Sequence, residues 1–125
     1  MSVAPPALRD ALGEYPTGVT VITAAANGHD IGLTMNSFAS VSLDPPLVLF
    51  SLDRKATHYN DFMAAPHFAV HILGEQQQAL SRTFSTQGID RWDGITYERW
   101  ETGCPIIAGA LAVFDCTIEA RHEGG

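Results

Sequence analysis

Positive charge is scarce in this chain. Seven Lys and Arg stand against fourteen Asp and Glu, a net charge of −7 over 125 residues, and only Arg54-Lys55 sets two cations side by side. Nucleic acid and anionic membrane surfaces both call for clustered cations, so neither is an expected partner. An anionic small ligand remains compatible, provided backbone N–H groups and one or two local cations meet it. Cysteine is also sparse: Cys104 and Cys116 lie twelve apart and form no CxxC pattern. Both are read as reduced thiols, Cys116 as filler in the strand-like run ALAVFDCTIEAR, and neither as a nucleophile. No apolar run approaches the ~18 residues of a membrane span. The opening MSVAPPALRD has neither the basic start nor the apolar core of a signal peptide, so a cytoplasmic protein is expected.

Familiar chemical motifs are absent as well. No GxSxG elbow surrounds a serine, and neither a GxxxxGKS/T phosphate loop nor a GxGxxG fingerprint occurs. Five histidines invite a metal reading. His67 and His71 have a helical zinc spacing, but FAV between them is strand-like. Four residues along a strand separate them by about 13 Å, too far to share an ion. No metal site is expected.

With 46% hydrophobic and 17% charged residues, the sequence describes one globular domain over residues 1–125. Pro5-Pro6 opens a short amphipathic helix through Leu8, Ala11, Leu12 and Tyr15, ending near Glu14 with Pro16 as its stop. From Gly18 a continuous β-branched run leads to Asn27-Gly28, a hairpin turn, and HDIGLTMN returns. SFASVSL alternates as a third strand. Asp44-Pro45-Pro46 reads as a corner, followed by LVLFSL as a buried strand. Thr57–Ala65 is helical, with Tyr59, Phe62 and Met63 on one side. HFAVHIL is a strand, and after Gly74 a second helix runs through Leu80 and Phe84. Residues 85–101 read as a polar surface loop around Trp92 and Trp100. One or two long strands cover Ile106-Ile107 and Ala110–Arg121. Short strands, tight turns and helices only at the periphery predict a mainly β fold, a small barrel. The last strand has no partner after it, so its edge calls for another subunit or a continuing chain.

One stretch asks for more than packing. Gly32–Leu52 reads GLTMNSFASVSLDPPLVLFSL, and Thr34, Asn36, Ser37, Ser40 and Ser42 put five short polar side chains within nine residues. They can cap turns and strand ends. They can also line a crevice, because the following strand delivers Ser51-Leu52-Asp53 to a second polar loop. Two such loops would suit a flat heteroaromatic with a polar rim. Arg54-Lys55 is either a solvated turn or a phosphate contact.

The segments YPTGVTVITA, GLTMNSFASVSLDPPLVLFSL, DRKATH and FAVHILGEQQQALSRTF, in register over residues 10–125, resemble the flavin reductase family. That resemblance implies an FMN-binding split β-barrel and a homodimer. It also implies a flavoprotein that binds FMN or FAD, oxidises NADH or NADPH, and supplies reduced flavin to a two-component monooxygenase. By similarity, Thr34, Met35, Asn36 and Ser37 run beside the isoalloxazine edge and ribityl chain, and Ser51, Leu52 and Asp53 offer backbone groups from the neighbouring strand end. Ser40, Ser42, Arg54, Lys55 and Thr57 lie nearest the ribityl–phosphate arm, and Phe84 closes the pocket. No protein acid or base is implied, since the hydride passes between two cofactor rings that the fold need only hold together and dry. The family's Gly-Asp-His motif, linked to nicotinamide binding, is cut short here, since Gly124-Gly125 ends the chain where Asp-His would follow, and the C-terminal strands are expected to be missing. The alternative is a split barrel that binds flavin without turning it over.

Overall fold

The computed structural model describes residues 4–13 and 19–125. Helix α1 (Pro5–Gly13) starts on a proline, which suits a first turn whose N–H has no partner. Leu8 on it is exposed. Glu14, Tyr15, Pro16 and Gly18, read above as helix end and strand start, lie outside the described residues.

The scaffold is a four-stranded antiparallel sheet in the order β2-β1-β5-β8, formed by β1 (Thr20–Ala26), β2 (His29–Met35), β5 (His67–Ile72) and β8 (Ala112–Thr117). The β1–β2 turn is Asn27-Gly28, both residues with positive φ (53° and 77°), the geometry a two-residue hairpin needs. β1 is buried along most of its length because both faces of the sheet are covered, which explains its unbroken apolar run. Ile22 and Ala24 face one core with Ile31, Met35, Phe62, Phe68 and Val70. Val21 faces a second core with Phe84 and Ile107.

The hairpin of β3 (Ala39–Leu43) and β4 (Pro46–Leu49) is a separate two-stranded sheet. Here the expected corner and buried strand are corrected. Leu43 pairs with Pro46, so Asp44-Pro45 is a tight turn and β4 folds straight back on β3. Proline is admissible as the first residue of a strand, where no ladder N–H is required. β4 is half-exposed: Val48 packs on the first core while Leu49 faces outward. The register shifts between Ser40 and Ser42, leaving Val41 in a bulge.

Helix α2 (Tyr59–Ala64) packs Phe62 inward, but Met63 is exposed. After β5, a 3-10 turn (Glu75–Gln77) leads into α3 (Gln78–Thr83). The segment 85–101 is not a free surface loop. It ends in β6 (Tyr97–Arg99), which pairs with β7 (Pro105–Ile107), and it is bolted to β2 by four side chains, one of them Tyr97, whose hydroxyl donates to the Asp30 carboxylate (3.2 Å). Buried Arg91 donates to the Gly32 carbonyl (2.8 Å) and to the Thr86 carbonyl (3.0 Å), Trp92 Nε1 donates to the Asp30 carbonyl (2.9 Å), and Arg99 pairs with the Asp30 carboxylate at 2.7 Å. β8 stops at Thr117, short of the expected Arg121. Residues 118–125 carry no regular structure but are tied back: Ile118 N–H donates to the Pro66 carbonyl and Arg121 to the Ala65 carbonyl (2.6 Å).

Candidate functional site

The site predicted from sequence gathers at one end of the central sheet. Thr20 pairs with Met35 on one side and Ile72 on the other, so the last residues of β2 and β5 lie together there. Residues 36–38 leave that end for the β3–β4 hairpin, and 50–53 return to it. Ser37 joins the two crossings: its hydroxyl accepts the Ser51 N–H (3.0 Å) and donates to the Ser51 carbonyl (3.1 Å). One short side chain therefore satisfies both backbone groups of the facing residue. Behind it, Asp53 folds the next loop: its carboxylate accepts the Lys55 N–H (2.8 Å), and its carbonyl accepts the Ala56 N–H (2.9 Å). That turn presents Arg54 and Lys55 to solvent. Arg54 donates to the Gly125 carbonyl at 3.0 Å and stands 3.7 Å from Glu123.

The predicted residues divide into those that reach the surface and those that hold the surface up. Asn36, Ser40, Ser51, Asp53, Arg54 and Lys55 are exposed, and Ser37, Ser42, Leu52 and Thr57 are half-buried. Met35 is buried in the first core, and its carbonyl accepts the Thr20 hydroxyl (2.8 Å). The Thr34 hydroxyl is committed to the Ser81 carbonyl (2.6 Å) and its N–H to the Phe84 carbonyl (3.1 Å), so it docks α3 onto β2. The Phe84 ring, expected to close the pocket, has no exposed surface. It lies under Gly32 and edge-on to Trp92, centroids 5.0 Å apart. A Cβ at Gly32 would sit 2.5 Å from that ring, which is why the strand carries glycine there.

Two clefts lie elsewhere, and none of the predicted residues lines either. One, of about 420 Å³, is bounded by Val19, Leu73, Gln78, Ser81 and Arg82 at the same sheet end. The other, of about 630 Å³, lies between the β6–β7 hairpin and the start of β8, with Trp100 and Leu111 on its walls.

Three further residues escaped the sequence reading. His71, fully buried, donates Nδ1–H to the Val21 carbonyl (3.0 Å) and accepts the Ile107 N–H at Nε2 (2.9 Å), a tautomer both partners dictate. Burial pushes its pKa below the ordinary value, against the opposing pull of the Val21 carbonyl. Arg91 and Gly32 are the others; a glycine inside a strand pattern signals close approach, whereas a lone arginine in a polar loop signals nothing. Burial raises the Cys104 thiol, and burial pushes Cys116 up to about 11, so neither is a thiolate at neutral pH. Among the described residues no three His, Cys, Asp or Glu side chains gather as metal ligands, and no helix is long and apolar enough to cross a membrane.

A small mainly β domain with an open sheet and hydroxyl-rich loops at one end is the split-barrel arrangement of flavin reductases. Residues 12–125 match the flavin reductase like domain, and the chain belongs to that family. It is 46% identical over 117 residues to the FMN reductase (NADH) SmoA of Agrobacterium fabrum, covering 94% of this chain and 67% of that protein. It is 45% identical to the stachydrine N-demethylase reductase subunit of Rhizobium meliloti, covering 97% and 53%. Its length thus spans between about half and two thirds of these relatives. An NADH:FAD oxidoreductase of Streptomyces globisporus superposes with a TM-score of 0.89 at 40% identity, covering 100% of this chain and 78% of that one, and has also been solved with NAD and FAD fragments.

Proposed function

We propose that this chain carries the flavin-binding part of an NADH- or NADPH-dependent flavin reductase that passes reduced FMN or FAD to a monooxygenase component in the cytoplasm. The observation that carries the reading is the Ser37–Ser51 bridge, which holds two polar loops together at the end of a sheet buried on both faces. The residues present fit a flavin. Exposed Asn36, Ser40 and Ser51 offer short hydrogen-bonding groups, and Arg54 and Lys55 offer the local cations that an acidic protein needs beside a phosphate. Thr34, Met35 and Phe84 act from behind by fixing the end of β2, while Ser42, Leu52, Asp53 and Thr57 complete the two loops.

When bound, a flavin held by Asn36, Ser40, Ser51, Arg54 and Lys55 would supply the redox chemistry, as acceptor of the hydride that a reduced nicotinamide gives up. This chain's residues orient the two rings and exclude water. The relatives named FMN reductase (NADH) and NADH:FAD oxidoreductase support both cofactor classes. A relative in Mycobacterium tuberculosis, the reductase subunit HsaB of a flavin-dependent monooxygenase, supports the partner. The protein is a homodimer in this reading: β8 is an open edge of the main sheet, and the β3–β4 hairpin exposes Val41, Leu43 and Leu49.

NADH oxidation with and without FMN or FAD tests the activity; turnover that ignores flavin removes the reading. Replacing Asn36 or Ser37 with a bulky apolar residue is expected to raise the flavin Kd roughly tenfold, about 1.4 kcal/mol. Unchanged affinity in both variants places the flavin elsewhere. Sedimentation showing a stable monomer at micromolar concentration removes the dimer.

A further inference from the structure

Among the described residues other than glycine, only Asn27 and His58 adopt positive φ (53° and 64°). Asn27 is accounted for by the β1–β2 hairpin turn, which needs that geometry. His58 has no hairpin to serve. It sits at the entry to α2 with φ 64° and ψ 22°, in the left-handed region. A residue with a Cβ is disfavoured there, although histidine tolerates the region better than most. Its place in the chain gives the strain a meaning, because it directly follows the loop 53–57 that carries Arg54, Lys55 and Thr57.

Two turns lead through that loop to His58. The Asp53 carbonyl accepts the Ala56 N–H (2.9 Å), and the Ala56 carbonyl accepts the Tyr59 N–H (3.1 Å). His58 is the third residue of the second turn, a position where positive φ usually calls for glycine. Its own carbonyl accepts the Phe62 N–H (3.0 Å), and buried Phe62 fixes α2 on the first core. The φ of His58 therefore sets the angle at which the loop meets the helix. Two side-chain bonds brace it. His58 Nδ1 lies 3.3 Å from the Asp61 carboxylate, whose other oxygen accepts the Asn27 amide at 3.3 Å. The two non-glycine residues of positive φ thus hold a single carboxylate between them, and through it the strained residue is tied to the β1–β2 turn.

We infer, resting on the reductase reading, that His58 is a positioning residue of the flavin site: its left-handed backbone, braced by Asp61 and Asn27, aims the Arg54–Lys55 loop at the flavin phosphate. His58 itself touches no ligand in this arrangement. A residue that leaves the left-handed region swings the loop away. The phosphate then meets only the fraction of molecules in which Arg54 and Lys55 still face it, and apparent affinity falls by that fraction. The effect is confined to the phosphate. In the same reading the rest of the flavin lies against Asn36, Ser37 and Ser51, and the Ser37–Ser51 bonds hold those residues without help from α2. Riboflavin, which has the ring and the ribityl chain but no phosphate, is therefore blind to His58.

The experiment compares the wild-type chain with His58→Ala, His58→Gly, His58→Asn and Asn36→Leu. It reads the Kd of FMN and of riboflavin from flavin fluorescence, and the amide resonances of Lys55 and Thr57 in the flavin-free protein. His58→Ala is expected to raise the FMN Kd roughly fivefold, the size of one lost hydrogen bond, with the riboflavin Kd within about twofold. His58→Gly adopts the left-handed backbone freely and His58→Asn tolerates it, so both recover most of the FMN affinity. The two amide resonances shift in His58→Ala and return in His58→Gly. An FMN Kd unchanged in His58→Ala, a riboflavin Kd that rises as much as that of FMN, or no recovery in His58→Gly overturns the assignment. If Asn36→Leu leaves both flavin affinities unchanged, the flavin lies elsewhere and the reading of the site fails separately. The resonances then decide the role of His58: a shift in His58→Ala that glycine reverses supports it, and resonances that stay in place, or that glycine does not restore, overturn it. His58 is exposed, so a far-ultraviolet dichroism spectrum matching wild type is expected for each of its variants.

Discussion

The central sheet and the β3–β4 hairpin are built by opposite rules. The sheet is covered on both faces, and its polar groups are tied inward: the Thr23 hydroxyl to the Pro105 carbonyl (2.7 Å), His71 to β1 and β7, and Arg91 to β2. The hairpin packs on one side only, has a bulge at Val41, and leaves Leu43 93% exposed. Its junction with the sheet carries the Ser37–Ser51 bonds and the aromatic contact of Phe50 with Phe68, centroids 4.8 Å apart. The loops expected to touch flavin hang between these two regions. A stiff frame fixes where they begin, and a lightly packed hairpin leaves their backbone and hydroxyl groups free for a ligand.

The contrast breaks most visibly at Phe84. Phe84→Ala empties the second core and is expected to cost about 3–5 kcal/mol, read by urea unfolding. A cost below 1 kcal/mol means that Trp92 alone carries this side of the sheet. Gly32→Ala pushes a methyl into the same ring and is expected to cost about 1–3 kcal/mol, with Phe84→Leu in the same chain restoring part of it. Additive losses in that pair would show that the clash is not with the ring.

Acid tests the frame more gently. The folded pKa of His71 lies below its unfolded value of 6.5, so the unfolded chain binds the extra proton first. The stability held by neutral His71 is present above that value and is lost as pH falls through the folded pKa. Unfolding midpoints at pH 8 and pH 5 measure it, and in His71→Gln this part of the slope is expected to vanish. An unchanged slope assigns the acid sensitivity to other groups.

Effects on the hairpin side are smaller in stability. Ser37→Ala leaves the exposed Ser51 groups to water and is expected to cost about 1 kcal/mol or less. The sharper readout is ligand affinity: a flavin Kd that rises several-fold while the unfolding midpoint hardly moves separates the site from the frame. Least of all, Leu43→Ser is expected to stay within about 0.5 kcal/mol in the monomer. A weakened dimer in that variant would place the hairpin at the subunit contact.

These two regions were also unequally legible in sequence. The unbroken β-branched run from Gly18 announced a strand, and Asn27-Gly28 announced its turn, because both signals are local. Pro45-Pro46 was ambiguous: a proline pair can turn a chain away from a sheet or open an edge strand, and the choice rests on whether Leu43 and Pro46 pair. The polar cluster at 34–42 was visible as a cluster. That the Thr34 hydroxyl is taken by Ser81, forty-seven residues on, was not, because such a bond has no local signature. Arg91 reads as an ordinary loop arginine until Gly32 is brought to it. The cleft beside Arg82 was invisible for the same reason, since its walls come from both sides of β5.

The His71–Ile107 bond has a topological consequence. A ladder hydrogen bond joins strands, but here a side-chain nitrogen closes a ring of chain whose ends are thirty-six positions apart. Everything between β5 and β7 lies inside that ring, including α3, Arg82 and the bolted segment with Arg91 and Trp92. The ring is also held to β2 by Ser81, Arg91, Trp92 and Arg99, so opening this bond alone frees only part of it, and the cost of closing a loop grows only slowly with its size. The ring could therefore lengthen by insertions within 85–101 at little cost, whereas the imidazole that fastens it could not be moved by one residue. Amide exchange at Ile107 reports directly on whether the ring is shut.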